Sequence, residues 1–282
     1  MYITTQWEVC LGMDLTRRHV LGGLTLSASG LFPTHAFAGG EPPIFSWIAV
    51  DRISGHVIGS SGERMIFPPA SMTKILLLDL VFDGIRLRRW GLDTLLTMSP
   101  TAHAQPPSRM GLMVGDNIRL EDAISGVCVD SHNDLAVLLG EGLYGTEARM
   151  AEAMTMRAQT LGMTSTYFGN CTGLPGGGNR STVYDIAIAL QGVVSRHAQY
   201  LPYLSMPSWS YRGRSYHNTD RLVGRVPGIY MSKTGYTRDS GFCLAAGMCH
   251  EGRDVLSVVG GMRSSYERDN WMQRLWMQAG CL

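Results

Sequence analysis

Only two lysines occur in this chain, and any fold it adopts has to serve both of them. Of its 24 lysine and arginine side chains, all but Lys74 and Lys233 are arginine. Each lysine sits in a short polar motif, Ser71-Met72-Thr73-Lys74 and Lys233-Thr234-Gly235. Arginine keeps its proton in a protein, whereas a buried lysine amine gives it up and then acts as a base. Amine chemistry at both places requires the fold to bring together segments separated by most of the chain. The flanking patterns allow this. Phe45 to Val50 and His56 to Gly59 read as strands joined through the turn-rich stretch Asp51 to Gly55. Near the other end, Gly228 to Thr234, Gly241 to Met248 and Val255 to Gly261 are strand-like, and Tyr266 to Ala279 reads as a helix. Pro68-Pro69 stops the chain ahead of Ser71, and Met72 to Leu80 is nearly continuous apolar helix, the pattern of a helix buried on most sides. From about Leu120 to Arg196 the period is helical with glycine-rich breaks, and Ser181-Thr182-Val183-Tyr184-Asp185 resembles a capped helix start. The expected class is α/β (α+β): an antiparallel sheet made from both ends of the chain, flanked by helices, with a helical subdomain inserted. The two lysine motifs then meet where the insertion joins the sheet.

A net charge of +1 gives no electrostatic reason to expect nucleic acid or an acidic membrane surface as partner. Residues 1–38 read as a cleaved export signal, and 39–282 as the working domain. Thr16-Arg17-Arg18-His19-Val20-Leu21 is a twin-arginine pattern, and Ala36-Phe37-Ala38 supplies a small-x-small cleavage site. The apolar run between them, Val20 to Phe32, is shorter than the roughly 20 residues of a membrane span. Translation starting at Met13 would remove an unusually long lead. No cysteine stands at the cleavage point to carry a lipid. Past the signal, Cys128, Cys171, Cys243, Cys249 and Cys281 are odd in number, with neither CxxC spacing nor paired histidines, so no zinc site and no cofactor is expected. An oxidising compartment permits disulfides, but Cys243 and Cys249 share a strand and lie too far apart to bridge each other, so most of these cysteines are expected to be buried thiols.

Ser71 and Lys74, three apart on a helix, project from one face within hydrogen-bonding reach. A serine in the first turn also meets free backbone N–H groups and the positive end of the helix dipole. Ser131-His132-Asn133-Asp134 lies between two helical stretches, where a polar cluster also serves as a cap and turn. Lys233-Thr234-Gly235-Tyr236, near a strand end, places a cation and a hydroxyl where they can grip a carboxylate, while Gly235 lets another backbone approach.

In this order, SxxK, SxN and KTG resemble the three signatures of the serine penicillin-binding protein and β-lactamase superfamily. Pro68 to Lys74, Leu161-Gly162-Met163, Thr172-Gly173-Leu174-Pro175, Ser181 to Asp185, and Lys233 to Thr237 with Gly241-Phe242 are similar to the D-alanyl-D-alanine carboxypeptidases of peptidase family S11. The resemblance covers about residues 45 to 280. It implies a β-lactamase/transpeptidase-like fold with the active site in the cleft between sheet and helical subdomain. It implies Ser71 as acyl-forming nucleophile, Lys74 as general base, and Ser131 as proton relay toward the leaving amine. Asn133 would hold the substrate peptide, and Lys233 and Thr234 the carboxylate. Backbone N–H groups of Ser71 and Tyr236 would form the oxyanion hole, with Gly235 beside them. Arg268 matches by spacing a second carboxylate-binding arginine. The implied ligands are peptidoglycan stem peptides ending in D-Ala-D-Ala, with β-lactams as inhibitors and a periplasmic location.

Three features depart from the family pattern. The middle residue of SxN is usually small and here is His132. Tyr230-Met231-Ser232 stands where relatives often carry Asp-Gly before the lysine. The sequence ends at Leu282 without the stalk and amphipathic anchor of many relatives, so no membrane anchor is expected. D,D-endopeptidase activity on cross-links is a sibling reading. A class A β-lactamase needs a glutamate base between SxN and KTG, and no glutamate occurs between Glu152 and Glu251. A penicillin-recognising sensor is the non-enzymatic alternative.

Overall fold

The structure, a computed structural model, describes residues 45–282. The twin-arginine pattern, the cleavage site and Cys10 lie outside the described residues. Five strands form one antiparallel sheet: β1 (Ser46–Asp51), β2 (Val57–Ser61), β7 (Ile229–Thr237), β8 (Gly241–His250) and β9 (Arg253–Met262), in the order β2-β1-β9-β8-β7. The N-terminal hairpin thus pairs with the last strand, as a sheet built from both chain ends requires. Alternation along the strands divides the core into two layers. Ile48, Ala245, Leu256 and Val258 face one side, and Trp47, Leu244, Val255 and Val259 the other.

Against the second side lies α6 (Ser265–Gln278), packed through Met272, Leu275 and Trp276, with Leu222 and Val223 beside it. Its start is a reciprocal cap: Ser264 Oγ accepts from the Glu267 N–H, and the Glu267 carboxylate accepts from the Arg263 N–H. The first side carries the larger helical layer: α1 (Lys74–Arg86), α2 (Leu120–Val129), α3 (Asn133–Tyr144), α4 (Glu147–Thr160) and α5 (Val183–Arg196). Helix α1 is buried from Lys74 through Phe82, which explains its apolar sequence. The expected start of α5 is observed, with Thr182 Oγ accepting from the Asp185 N–H.

Two details refine the sequence reading. Ser71 lies in a 3-10 turn, Ala70–Thr73, that runs directly into α1 at Lys74, so the nucleophile segment precedes the α-helix proper. The helical region also carries two small hairpins that hydrophobic periodicity did not resolve. They are β3 (Leu95–Thr97) with β4 (Asn117–Arg119), and β5 (Ser208–Tyr211) with β6 (Arg214–His217). Among the described residues no helix is long and apolar enough to cross a membrane. Cys128, Cys171, Cys243 and Cys281 are free, buried thiols, whereas Cys249 is disulfide-bonded, against the expectation of a thiol there.

Candidate active site

The 3-10 turn, the α2–α3 turn, the loop before α5 and the end of β7 converge around the Lys74 amine. Lys74 is fully buried, and its Nζ makes three contacts at 2.8 Å: to Ser71 Oγ, to Asn133 Oδ1 and to the carbonyl oxygen of Thr172. The amide oxygen and the carbonyl can only accept. A neutral amine has two protons for them, so its lone pair is left facing Ser71 Oγ and can receive the hydroxyl proton. Burial pushes the Lys74 amine well below its ordinary value, and the charge of Lys233 pushes in the same direction, against the attraction of groups such as Asp134. A buried, unpaired ammonium is unfavourable, and this site relieves it by favouring the form that acts as a base.

Asn133 is held at both ends. Its oxygen accepts from Lys74, and its Nδ2 donates to the Pro106 carbonyl at 3.0 Å. Two residues earlier, Ser131 has φ +60°, the left-handed region, and its buried Oγ has no hydrogen-bond partner among the described residues. Such a backbone at a non-glycine residue is unfavourable by about 1–2 kcal/mol, so the surroundings must hold it. Ala70, directly before Ser71, is also left-handed at φ +47°.

On the sheet side, Gly235 lies against the nucleophile turn. A Cβ there would come within 3.0 Å of Pro69 O and 3.2 Å of Ser71 N, so a larger residue would press β7 away from the turn by a few tenths of an ångström. Lys233 is buried, and its amine is lowered to about 8 by burial, opposed by Cys128 and Asp130 and aided by the positive charge of Arg268. Thr234 Oγ1 lies 2.6 Å from Thr219 Oγ1. Tyr236 is exposed, its ring tilted against Phe242 across the strand pair at 4.2 Å. Arg268 reaches this side from α6, but its guanidinium is buried and engaged by Asp269 Oδ1 at 2.6 and 2.8 Å. Just before Lys233, Ser232 Oγ donates to Asp220 at 2.6 Å, so a carboxylate reaches β7 from another segment.

The sequence reading named Ser71, Lys74, Asn133 and Gly235, and the fold gathers them around one point. It assigned no role to Asp220, Thr219 or the Thr172 carbonyl. The last acts through backbone, which leaves no side-chain signature. Its loop is fixed by Asn170, whose Oδ1 accepts from the Gly173 N–H, and by Asn179, whose Nδ2 donates to Thr73 Oγ1. The turn residues Asn170 to Pro175 were the available signal. Chemically, the arrangement offers an oxygen nucleophile, a neutral amine in contact with it, a free hydroxyl in the adjoining turn, and a cation on the sheet side.

A family model described as D-alanyl-D-alanine carboxypeptidase, peptidase S11, matches residues 43–264. The chain is 27% identical over 235 residues to the D-alanyl-D-alanine carboxypeptidase DacF of Bacillus subtilis, covering 79% of this chain and 59% of that protein. It is 28% identical over 275 residues to DacD of Salmonella typhimurium, covering 93% of this chain and 70% of that one. The chain therefore spans about three fifths of the Bacillus relative's length. Among solved structures, penicillin binding protein 6B from Escherichia coli superposes with a TM-score of 0.78 at 27% identity, over 86% of this chain and 79% of that one.

Proposed function

Because the chain belongs to the D-alanyl-D-alanine carboxypeptidase family, peptidase S11, we propose that it removes the terminal D-alanine from peptidoglycan stem peptides through an acyl-enzyme on Ser71. The observation that carries this reading is the fully buried Lys74 amine, with two acceptors occupying its protons and Ser71 Oγ at 2.8 Å. Ser71 Oγ attacks the carbonyl carbon of the penultimate D-alanine as its proton passes to Lys74. The negative charge forming on the carbonyl oxygen is met by the backbone N–H groups of Ser71 and Tyr236. The C–N bond then breaks, and the proton returns through Lys74 and Ser131 to the departing amine of D-alanine. Water repeats the sequence on the ester, and Ser71 is regenerated. Charged Lys233, with the Thr234 hydroxyl, holds the terminal carboxylate. Asn133 fixes Lys74 and leaves one amide proton for the peptide. Arg268 adds positive potential behind Lys233.

The leader with Arg17-Arg18 and Ala36-Phe37-Ala38 supports export, so the site of action is the periplasm. The test is D-alanine release from a purified muropeptide ending in D-Ala-D-Ala. Wild type should release it and Ser71→Ala should not. A wild-type protein inactive on this peptide but active on cross-linked dimers would assign it to the endopeptidases, and inactivity on both would leave the sensor reading.

A further inference from the structure

The residue that departs from the SxN pattern, His132, does not face the cleft. Its ring is fully buried, edge-on to Tyr216 of β6 with centroids 5.1 Å apart and planes at 86°. Gly126 of α2 makes the room, since a Cβ there would stand 2.9 Å from His132 Nδ1. His132 Nε2 lies 2.9 Å from Asp130 Oδ2, but the alignment is not that of a hydrogen bond, and neither ring nitrogen has another partner among the described residues. Asp130 is held in turn by Ser108 Oγ at 3.2 Å. The two side chains belong to residues on either side of Ser131, so their contact closes over the one left-handed residue of this turn.

We propose that Asp130 and His132 form a brace that holds the strained Ser131 backbone and so positions its hydroxyl for the reaction. His132 and Asp130 are positioning residues, since neither touches the reacting atoms in the proposed mechanism. The brace gives the large ring of His132 a role in this turn. Tyr216 and Gly126 fix the imidazole from two sides, and Asp130 fixes it from the third. The unpartnered Ser131 Oγ then stays aimed by its backbone, with no hydrogen bond of its own to break before it can serve substrate. Asp130 also opposes the lowering of the Lys233 amine, so its loss can act through Lys233 as well. A double-mutant cycle separates the two routes.

The catalytic part of this inference rests on the carboxypeptidase reading, whereas its structural part does not. Asp130→Asn, His132→Leu and the double variant are compared for D-alanine release, with His132→Gln as the conservative rescue that keeps a polar group near the Nε2 position, in contact with Asp130. The brace predicts that His132→Leu lowers kcat about 10- to 100-fold with KM changed less than about twofold, as expected for a misplaced group. His132→Gln should recover most of that loss, and the double variant should be no slower than the slower single. Multiplying effects in the double variant, or unchanged kcat in His132→Leu, would overturn it. Crystal structures of Asp130→Asn and His132→Leu read the brace without any assay, and either suffices if the other does not fold. Ser131 should leave the region near φ +60°. If it stays there, the proposal fails even where the carboxypeptidase reading stands, and an inactive wild type whose variants release Ser131 would sink only the carboxypeptidase reading.

Discussion

At Lys74 and Lys233 the pH dependence follows from the proton each amine needs. Lys74 must be neutral to accept the Ser71 proton, so the Ser71 acylation rate constant rises as pH climbs through its lowered pKa. Lys233 must be charged to hold a carboxylate, and burial brings its amine to about 8. The free enzyme therefore loses kcat/KM as pH rises through about 8, giving a bell-shaped profile. Arginine stays protonated, so Lys233→Arg should acylate with its falling limb removed. A limb persisting in that variant would assign the high-pH loss to another group. Lys74→Arg keeps the charge but cannot accept a proton. It should slow penicillin acylation at least about 100-fold, and a folded variant retaining more than about a tenth of the rate would remove Lys74 from the base role. These residues were legible because a lysine-poor sequence isolates them. The third Lys74 partner, a backbone carbonyl, was not.

Among the elements, the loop from Asn170 to Asn179 sets the position of that carbonyl. Gly173 has φ +83°, and a Cβ there would stand 1.9 Å from Ala70 O, so loop and nucleophile turn touch through bare backbone. Gly173→Ala should push them apart and shift Thr172 O from Lys74. We expect a folded protein whose penicillin acylation falls about 100-fold, the scale of a displacement near 1 Å. Stopped-flow acylation checks this, and a wild-type rate would show that the third contact is dispensable. The strand and helix runs were readable from their periods, including the capped start of α5 at Thr182. The 3-10 turn under Ser71 was not, because its sequence continues smoothly into α1 and only the left-handed Ala70 marks the break. The hairpin β5–β6 was also missed. Its aromatic residues Trp209 and Tyr216 stack on each other and pack on the helical layer, and four-residue strands are too short for alternation to stand out.

For the whole molecule, a buried ion cluster ties three helices behind the site. Asp79 of α1 accepts from Arg157 of α4 at 3.0 Å and from Arg196 of α5 at 2.5 Å, with His197 Nε2 at 3.3 Å. Burial alone would raise the Asp79 carboxyl, but His197, Arg196 and Arg157 together hold it below its ordinary value. Its stabilising contribution is therefore full above the ordinary carboxyl range and is lost as pH falls through the lowered value. Asp79→Ala leaves arginines without their buried partner and should lose about 3–5 kcal/mol in urea unfolding at neutral pH. A loss under about 1 kcal/mol would mean that Asp83, which also accepts from Arg157, carries the cluster. The sequence showed Asp79 only as a polar break in an apolar helix, because its partners come from helices distant along the chain. The sheet joining the chain ends was legible, since strands lay at both ends and the lysine motifs had to meet. The central claim is an acyl-forming Ser71 in a site that lacks a glutamate between Glu152 and Glu251 to activate water. With a peptide the leaving D-alanine departs and admits water, whereas an opened penicillin stays tethered and obstructs it. The most direct measurement is an intact-mass time course with benzylpenicillin, followed by peptide mapping. The account predicts one penicilloyl group, on Ser71, that forms readily and clears far more slowly than a peptide acyl-enzyme. No adduct, an adduct elsewhere, or one clearing within seconds with continuous penicillin turnover would contradict it.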